Sequence, residues 1–364
     1  MKGSLNLGKF SGIRVEIHWT FFLLIGWIVL LGVSSGSDTV SILWNIAFIL
    51  LLFLCVVMHE YGHALTARRY NIPTRKITLL PIGGVASFEE MPEDPKQELL
   101  VAIAGPAVNV AIALLLWLVV PVEQYLNQDP EALQETLGTI TGGNLMFYLL
   151  IANVMLVVFN LLPAFPMDGG RVLRALLTMR MGRVRATQIA AFLGQTLAFF
   201  FFLSGLIYNP FLILIALFVY FGAQGENMMV QQLKLLENHQ VRDAMMTDIT
   251  VLDPGDYLNR VVDIILSGTE RDFIVTEHDH IKGVVYHSDL VQLLRQQNGQ
   301  AQVKDVMSTD FENVHADDDL TDVYRKVQAR KKSFFPVLEN DRLVGAIDMN
   351  NINEFIVFRA SLDF

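Results

Sequence analysis

The chain has 364 residues, of which 52% are hydrophobic and 18% charged, with a mean hydropathy of +0.41 and a formal net charge of -10. That length admits two or more domains, the apolar excess points to a membrane protein with soluble mass attached, and the negative charge argues against a nucleic-acid partner. A single cysteine, Cys55, excludes an intrachain disulfide and a cysteine-rich zinc module.

In chain order, Lys2, Lys9 and Arg14 precede a first apolar run with no small-residue cleavage site after it, which predicts a retained helix. Apolar stretches of spanning length lie at 17–31, 40–67, 99–120, 145–162, 187–207 and 211–222. Six spans put both termini on one side. The cations before residue 223 fall in the N-terminal arm, in the second-to-third connection (Arg68, Arg69, Arg75, Lys76, Lys96) and in the fourth-to-fifth connection (Arg171, Arg174, Arg180, Arg183, Arg185). The opposite long connection, 121–143, is acidic, with Glu123, Asp129, Glu131 and Glu135. The positive-inside rule therefore predicts cytosolic termini.

The second span carries His59-Glu60-Tyr61-Gly62-His63. Histidines four apart on a helix share a face, so both imidazoles reach one cation, and the acid between them can hold and deprotonate a water on that cation. Ionisable groups within an apolar span are costly and signal function. The following connection, 77–88, is apolar and β-prone with a Gly83-Gly84 pair, and predicts a hairpin at the membrane whose edge could pair with an extended peptide. Span three opens on Ala104-Gly105-Pro106-Ala107-Val108-Asn109, small residues suited to close helix approach with one amide that can reach across.

Span four ends in Asn160-Leu161-Leu162-Pro163-Ala164-Phe165-Pro166-Met167-Asp168-Gly169. The two prolines force irregular backbone there, and Asp168 comes to the same predicted depth as His59 and His63. Two histidines leave a catalytic zinc one protein ligand short, and Asp168 is the best candidate for the third.

Beyond a polar linker helix at 223–240 the chain repeats itself at a constant offset of 62 residues. Val241-Arg242-Asp243-Ala244-Met245 matches Val303-Lys304-Asp305-Val306-Met307, Phe273-Ile274-Val275 matches Phe335-Pro336-Val337, and Gly283 matches Gly345. Each copy, 241–302 and 303–364, reads strand, helix, two strands, helix, and is too small to stand alone, so the copies should pack together. The acids Asp317-Asp318-Asp319 are expected to cap the next helix rather than bind metal.

The paired signatures resemble the site-2 protease family of intramembrane zinc metalloproteases over about residues 1–222, and the tail resembles a tandem pair of CBS domains. The resemblance implies a multi-pass α-helical membrane domain of six spans with a soluble α/β CBS pair, in the plasma membrane. It implies His59, His63 and Asp168 as zinc ligands and Glu60 as general base. The expected substrate is a transmembrane protein, such as a single-span regulator, cleaved near the cytosolic side after local unwinding of its helix. Asn109 and Asn160 are candidate contacts to substrate or oxyanion, and His18, at the start of span one, is a candidate inhibitory ligand in a closed state. CBS pairs commonly bind adenine nucleotides such as ATP through Gly-x-x-Ser/Thr-x-x-Asp. Here Gly283-Val284-Val285-Tyr286-His287-Ser288-Asp289 keeps the aspartate, so one nucleotide site using Asp289 is expected, while the second copy, Gly345-Ala346-Ile347-Asp348-Met349-Asn350-Asn351, lacks it. A purely structural pair or a homodimer through the CBS domains is the competing role for the tail. The alternative for the whole chain is a CBS-gated transporter or channel, against which stands the lack of an inverted repeat.

Overall fold

The computed structural model describes residues 3–81, 83–88, 92–129, 131–132, 136–268, 270–278, 280–294, 301–329 and 333–362; Glu135 of the acidic connection lies outside the described residues. The chain forms two compact units, Met1–Val230 and Gln231–Phe364.

The first unit begins with two strands, β1 (Ser4–Phe10) and β2 (Ile13–His18), joined at Ser11-Gly12, both at positive φ. Such a pair suits the two-residue hairpin turn. These residues were expected to be a basic arm. The difference follows from the period-two pattern of Ile13, Val15 and Ile17, which buries one side of β2, with Ile13 and Val15 each 4% exposed. The connection after the second span supplies β3 (Thr74–Leu80) and β4 (Gly83–Phe88), and the four strands make one sheet in the order β1-β2-β3-β4, with β2 and β3 parallel. Lys76 Nζ lies 2.9 Å from Glu16 Oε2 on β2 and holds that carboxyl below its usual range. Gly83 and Gly84 lie within β4, paired with Leu80 and Leu79 of β3.

The helices of this unit are α1 (Thr20–Ser34), α2 (Thr39–Arg68), α3 (Pro95–Val119), α4 (Val122–Leu126), α5 (Leu145–Asn160), α6 (Asp168–Met181), α7 (Arg183–Ile207) and α8 (Phe211–Leu236), which contains the unit boundary. Among the described residues α2, α3, α7 and α8 are long and apolar enough to cross a membrane. At 1.5 Å per residue they reach about 37–45 Å, against a hydrocarbon core of about 30 Å. The shorter apolar helices α1 and α5 have 15 and 16 residues, roughly 22–24 Å. Large apolar side chains such as Trp27, Leu118, Phe200 and Phe221 face outward, as lipid contact requires and water would not favour. The sixth apolar stretch and the expected linker helix are a single helix, α8, because its polar half is rich in helix formers and carries no proline.

The second unit contains the repeat. The first copy runs β5 (Val251–Leu252), α9 (Leu258–Ser267), β6 (Phe273–Glu277), β7 (His280–Val285) and α10 (His287–Leu294). The second runs β8 (Val314–His315), α11 (Leu320–Ala329), β9 (Phe335–Glu339), β10 (Arg342–Ile347) and α12 (Met349–Leu362). Each copy makes a three-stranded sheet. The copies exchange their opening segments. Val241 N–H donates to Asp318 O while Val303 N–H donates to Asp256 O, and Met246 pairs with Ala346 as Ser308 pairs with Val284. Val303 and Val306 complete the core around Phe273 and Val285, and Val241 completes the core around Phe335 and Ile347. Each buried valine stabilises by roughly 1.5–3 kcal/mol, so neither 62-residue copy has a closed core of its own. Asp319 Oδ1 accepts from Thr321 N–H at 2.8 Å, the expected cap of α11.

Candidate metal centre

Helix α2 presents His59 and His63 on one face, with ring centroids 4.8 Å apart. The loop after α5, broken by Pro163 and Pro166, delivers Asp168 as the first residue of α6. The three donor atoms form a near-equilateral triangle. His59 Nε2 to Asp168 Oδ2, His63 Nε2 to Asp168 Oδ2 and His63 Nε2 to His59 Nε2 are each 3.1 Å. Tetrahedral zinc with bonds near 2.0–2.1 Å needs ligand atoms about 3.3–3.4 Å apart, so the triangle is a slightly tight face of such a polyhedron.

Helix α3 orients both rings from behind. His63 Nδ1 lies 2.7 Å from Val101 O, which can only accept, so the proton sits on Nδ1 and Nε2 carries the lone pair. His59 Nδ1 lies 2.8 Å from Asn109 Oδ1. Val101, Gly105 and Asn109 are spaced four apart and share one face of α3. A Cβ at Gly105 would lie 2.1 Å from His63 Nε2 and 2.7 Å from His59 Nε2. The glycine lets α3 pack directly against both imidazoles. Two imidazoles, one carboxylate and near-tetrahedral spacing fit a zinc ion, and these residues could hold it.

Glu60 is the partly exposed acid between the ligands. The edge strand β4 passes beside it, for a Cβ on Gly84 would lie 2.8 Å from Glu60 Cγ and 3.3 Å from Glu60 Oε1. Behind Asp168 stands a buried ion network that the sequence did not reveal. Arg174, 1% exposed, donates from Nε to Glu98 Oε1 at 2.6 Å and also engages that oxygen through Nη2. Its Nη1 donates to Glu226 Oε2 at 3.1 Å, and its guanidinium lies 4.9 Å from the Phe165 ring centroid. Arg171 Nη2 reaches Glu226 Oε1 at 3.6 Å. The network ties α6, and with it Asp168, to α3 and α8. Nothing in the sequence pairs these residues, because the partners are 76 and 52 positions apart.

The other expected residues stand as follows. Asn109 is fully buried, with its oxygen on His59 and its amide donating to Asn153 Oδ1 at 3.1 Å, so it faces the ligand shell instead of a substrate or oxyanion. Asn160 Nδ2 donates back to Leu156 O at 2.9 Å within its own helix. His18 Nδ1 is 2.7 Å from Thr20 Oγ1 at the end of β2. In the second unit, Asp289 lies in the first turn of α10 and Ser288 Oγ donates to it at 3.2 Å. Asp272 accepts from His287 N–H at 2.7 Å; burial pushes its carboxyl up, and the charges of Asp348 and Asp289 add to that. Asn351, at the position equivalent to Asp289, accepts Asp348 N–H at 3.0 Å and is committed to a cap.

Residues 47–204 match the family described as Peptidase family M50, and residues 241–296 and 303–357 match CBS domains. Over 353 residues, 97% of this chain and 96% of the relative, the sequence is 35% identical to "Zinc metalloprotease MJ0392" of Methanocaldococcus jannaschii. It is 30% identical to "Stage IV sporulation protein FB" of Bacillus subtilis over 176 residues, 48% of this chain and 52% of that protein. Among solved structures, the "Site-2 Protease from Methanocaldococcus jannaschii" is similar at 40% identity and TM-score 0.46, covering 62% of this chain and 95% of that one.

Proposed function

The chain belongs to peptidase family M50, and from that premise we propose that it cleaves peptide bonds within transmembrane segments of other proteins, close to the cytosolic face. It is a zinc metalloendopeptidase with a CBS pair. The observation that carries the finer reading is the His59–His63–Asp168 triangle, two of whose members lie on one apolar helix with Glu60 between them in sequence. His59, His63 and Asp168 would hold the ion. When bound, zinc supplies Lewis acidity and lowers the pKa of water. Glu60 accepts the proton of the attacking water and delivers it to the leaving amine nitrogen. Among the described residues β4 is the edge of its sheet beside Glu60, and on that edge a locally unwound substrate segment adds as a further strand. Unwinding frees the scissile carbonyl from its helical hydrogen bond, so substrates with helix-weakening residues are favoured.

The topology proposed for this activity has six spans, α1 and α5 crossing with the four longer helices, and both termini cytosolic in the plasma membrane. The segregation of Lys and Arg into alternate connections supports it. The membrane domain covers about 1–222, and the copies of the pair 241–302 and 303–364. We extend the proposal to regulation: the pair binds an adenine nucleotide such as ATP at one site, with Asp289 accepting from the ribose hydroxyls, and the pair can also join two copies of the chain.

Glu60→Gln tests the main reading. Purified with a single-span substrate in liposomes, the variant retains zinc at the wild-type stoichiometry and loses cleavage by at least about 10²-fold; cleavage at the wild-type rate overturns the assignment. For the regulatory part, ATP titrated calorimetrically into the full chain gives heat that Asp289→Ala removes. Heat unchanged by that variant rules out Asp289 as the ribose contact.

A further inference from the structure

Helix α5 contributes a residue to this site that touches neither metal ligand nor substrate. Asn153 is fully buried, and each of its polar atoms is engaged. Nδ2 donates to Leu149 O at 2.8 Å and approaches Cys55 Sγ at 3.5 Å, while Oδ1 accepts from Asn109 Nδ2 at 3.1 Å. Asn109, also fully buried, turns its other end to His59 Nδ1 at 2.8 Å.

The direction of this chain is determined at its far end. A backbone carbonyl can only accept, so Leu149 O must meet the amide nitrogen of Asn153; turning that amide over would set two oxygens against each other at 2.8 Å. Asn153 therefore presents oxygen to Asn109. Asn109 must answer with nitrogen, which leaves its oxygen facing His59. That oxygen requires the proton on His59 Nδ1, and only then does His59 Nε2 keep the lone pair that a cation needs.

We propose that Asn153 is a positioning residue of the metal centre, which sets the polarity of a buried Leu149–Asn153–Asn109–His59 hydrogen-bond chain and so holds His59 in its metal-binding tautomer. The inference rests on the reading of His59 as a ligand. Without Asn153, the Asn109 amide is free to turn and offer nitrogen to His59 Nδ1, which moves the proton to Nε2 and opposes the ion.

Zinc is titrated against a chromogenic chelator with the full chain in detergent micelles, so the readout is affinity and not cleavage. Asn153→Leu is expected to weaken zinc binding by about 10–100-fold, the usual scale for outer-shell partners. In an Asn109→Asp background the carboxylate has no donor to turn toward His59, so adding Asn153→Leu is expected to cost no more than about twofold. An Asn153→Leu variant with wild-type affinity, or a loss of equal size in both backgrounds, overturns the proposal, the second outcome meaning a packing role only. Should Asn153→Leu fail to fold, 15N spectra of the His59 ring in the metal-free wild-type chain decide: a proton on Nδ1 is expected, and one on Nε2 overturns it. Zinc affinity untouched by His59→Ala is a distinct result that removes the ligand assignment and this inference with it.

Discussion

Gly105→Ala is the smallest change that should empty the metal centre. The added methyl group lies 2.1 Å from His63 Nε2, 2.5 Å from His63 Cε1 and 2.7 Å from His59 Nε2. A carbon and a nitrogen in contact need roughly 3.3–3.5 Å, so about 1.2 Å must be found. The imidazoles cannot yield it, because Nδ1 of each is hydrogen-bonded to α3, the same helix that carries the new methyl. If α3 recedes instead, Val101 O and Asn109 move with it and both rings lose their orientation. Ligand distances in a metal site tolerate only about 0.2 Å, and a displacement near 1 Å costs about 10²-fold in a positioned site. That factor is worth about 2.7 kcal/mol. Intrinsic helix propensity works the other way, since alanine is favoured over glycine by about 1 kcal/mol, so weakening of α3 cannot explain a loss. The assay is zinc retention and substrate cleavage by Gly105→Ala beside Gly26→Ala, a helical position where nothing lies within 4 Å of the added carbon. Gly26→Ala should behave as wild type. Gly105→Ala with zinc affinity within about threefold of wild type would refute the reasoning about this close approach.

Arg174→Met strands Glu98, itself 2% exposed, and should destabilise the chain by about 3–5 kcal/mol in detergent unfolding. Adding Glu98→Leu removes the stranded charge and should restore at least half of that; strictly additive losses would contradict the pairing. In the CBS pair, Asp272 has a raised carboxyl pKa, so its favourable contribution exists below the unfolded value of about 3.9 and is lost as pH rises through the folded one. At pH 7 its charge is a net cost. Asp272→Asn keeps an oxygen for His287 N–H and should increase amide-exchange protection of β6 and β7 at pH 7, with the gain shrinking toward pH 4. Weaker protection at pH 7 would reverse the assigned sign.

Much of the site was legible along the chain because its signals are local. His59, Glu60 and His63 follow helical spacing, Asp168 follows a pair of prolines, and the repeat declares itself by a constant offset. The same offset appears in space, with Val241 and Val303 closing each other's cores. The N-terminal hairpin was also written locally, in the Ser11-Gly12 turn and the alternation from Ile13 to Ile17, but Lys2, Lys9 and Arg14 fit a basic arm equally well. Asn109 and Asn160 show the opposite limit. Their types were right for polar contacts within a membrane domain, yet partner and direction were open, and the fold turned one toward His59 and the other back on its own helix.

By itself the sequence determined which residues can hold a cation, that they lie in an apolar setting, and that the tail is a pair. Tertiary structure alone decided that three donors 3.1 Å apart meet in one triangle, that α3 stands behind both histidines, and that Arg174 binds Glu98. Periodicity reports which face of an element is apolar, and it carries no information about which distant face will meet it. The hydrogen bond between His59 and Asn109, 50 positions apart, exists only once packing has brought two helices within reach, and its direction depends on a carbonyl belonging to a third.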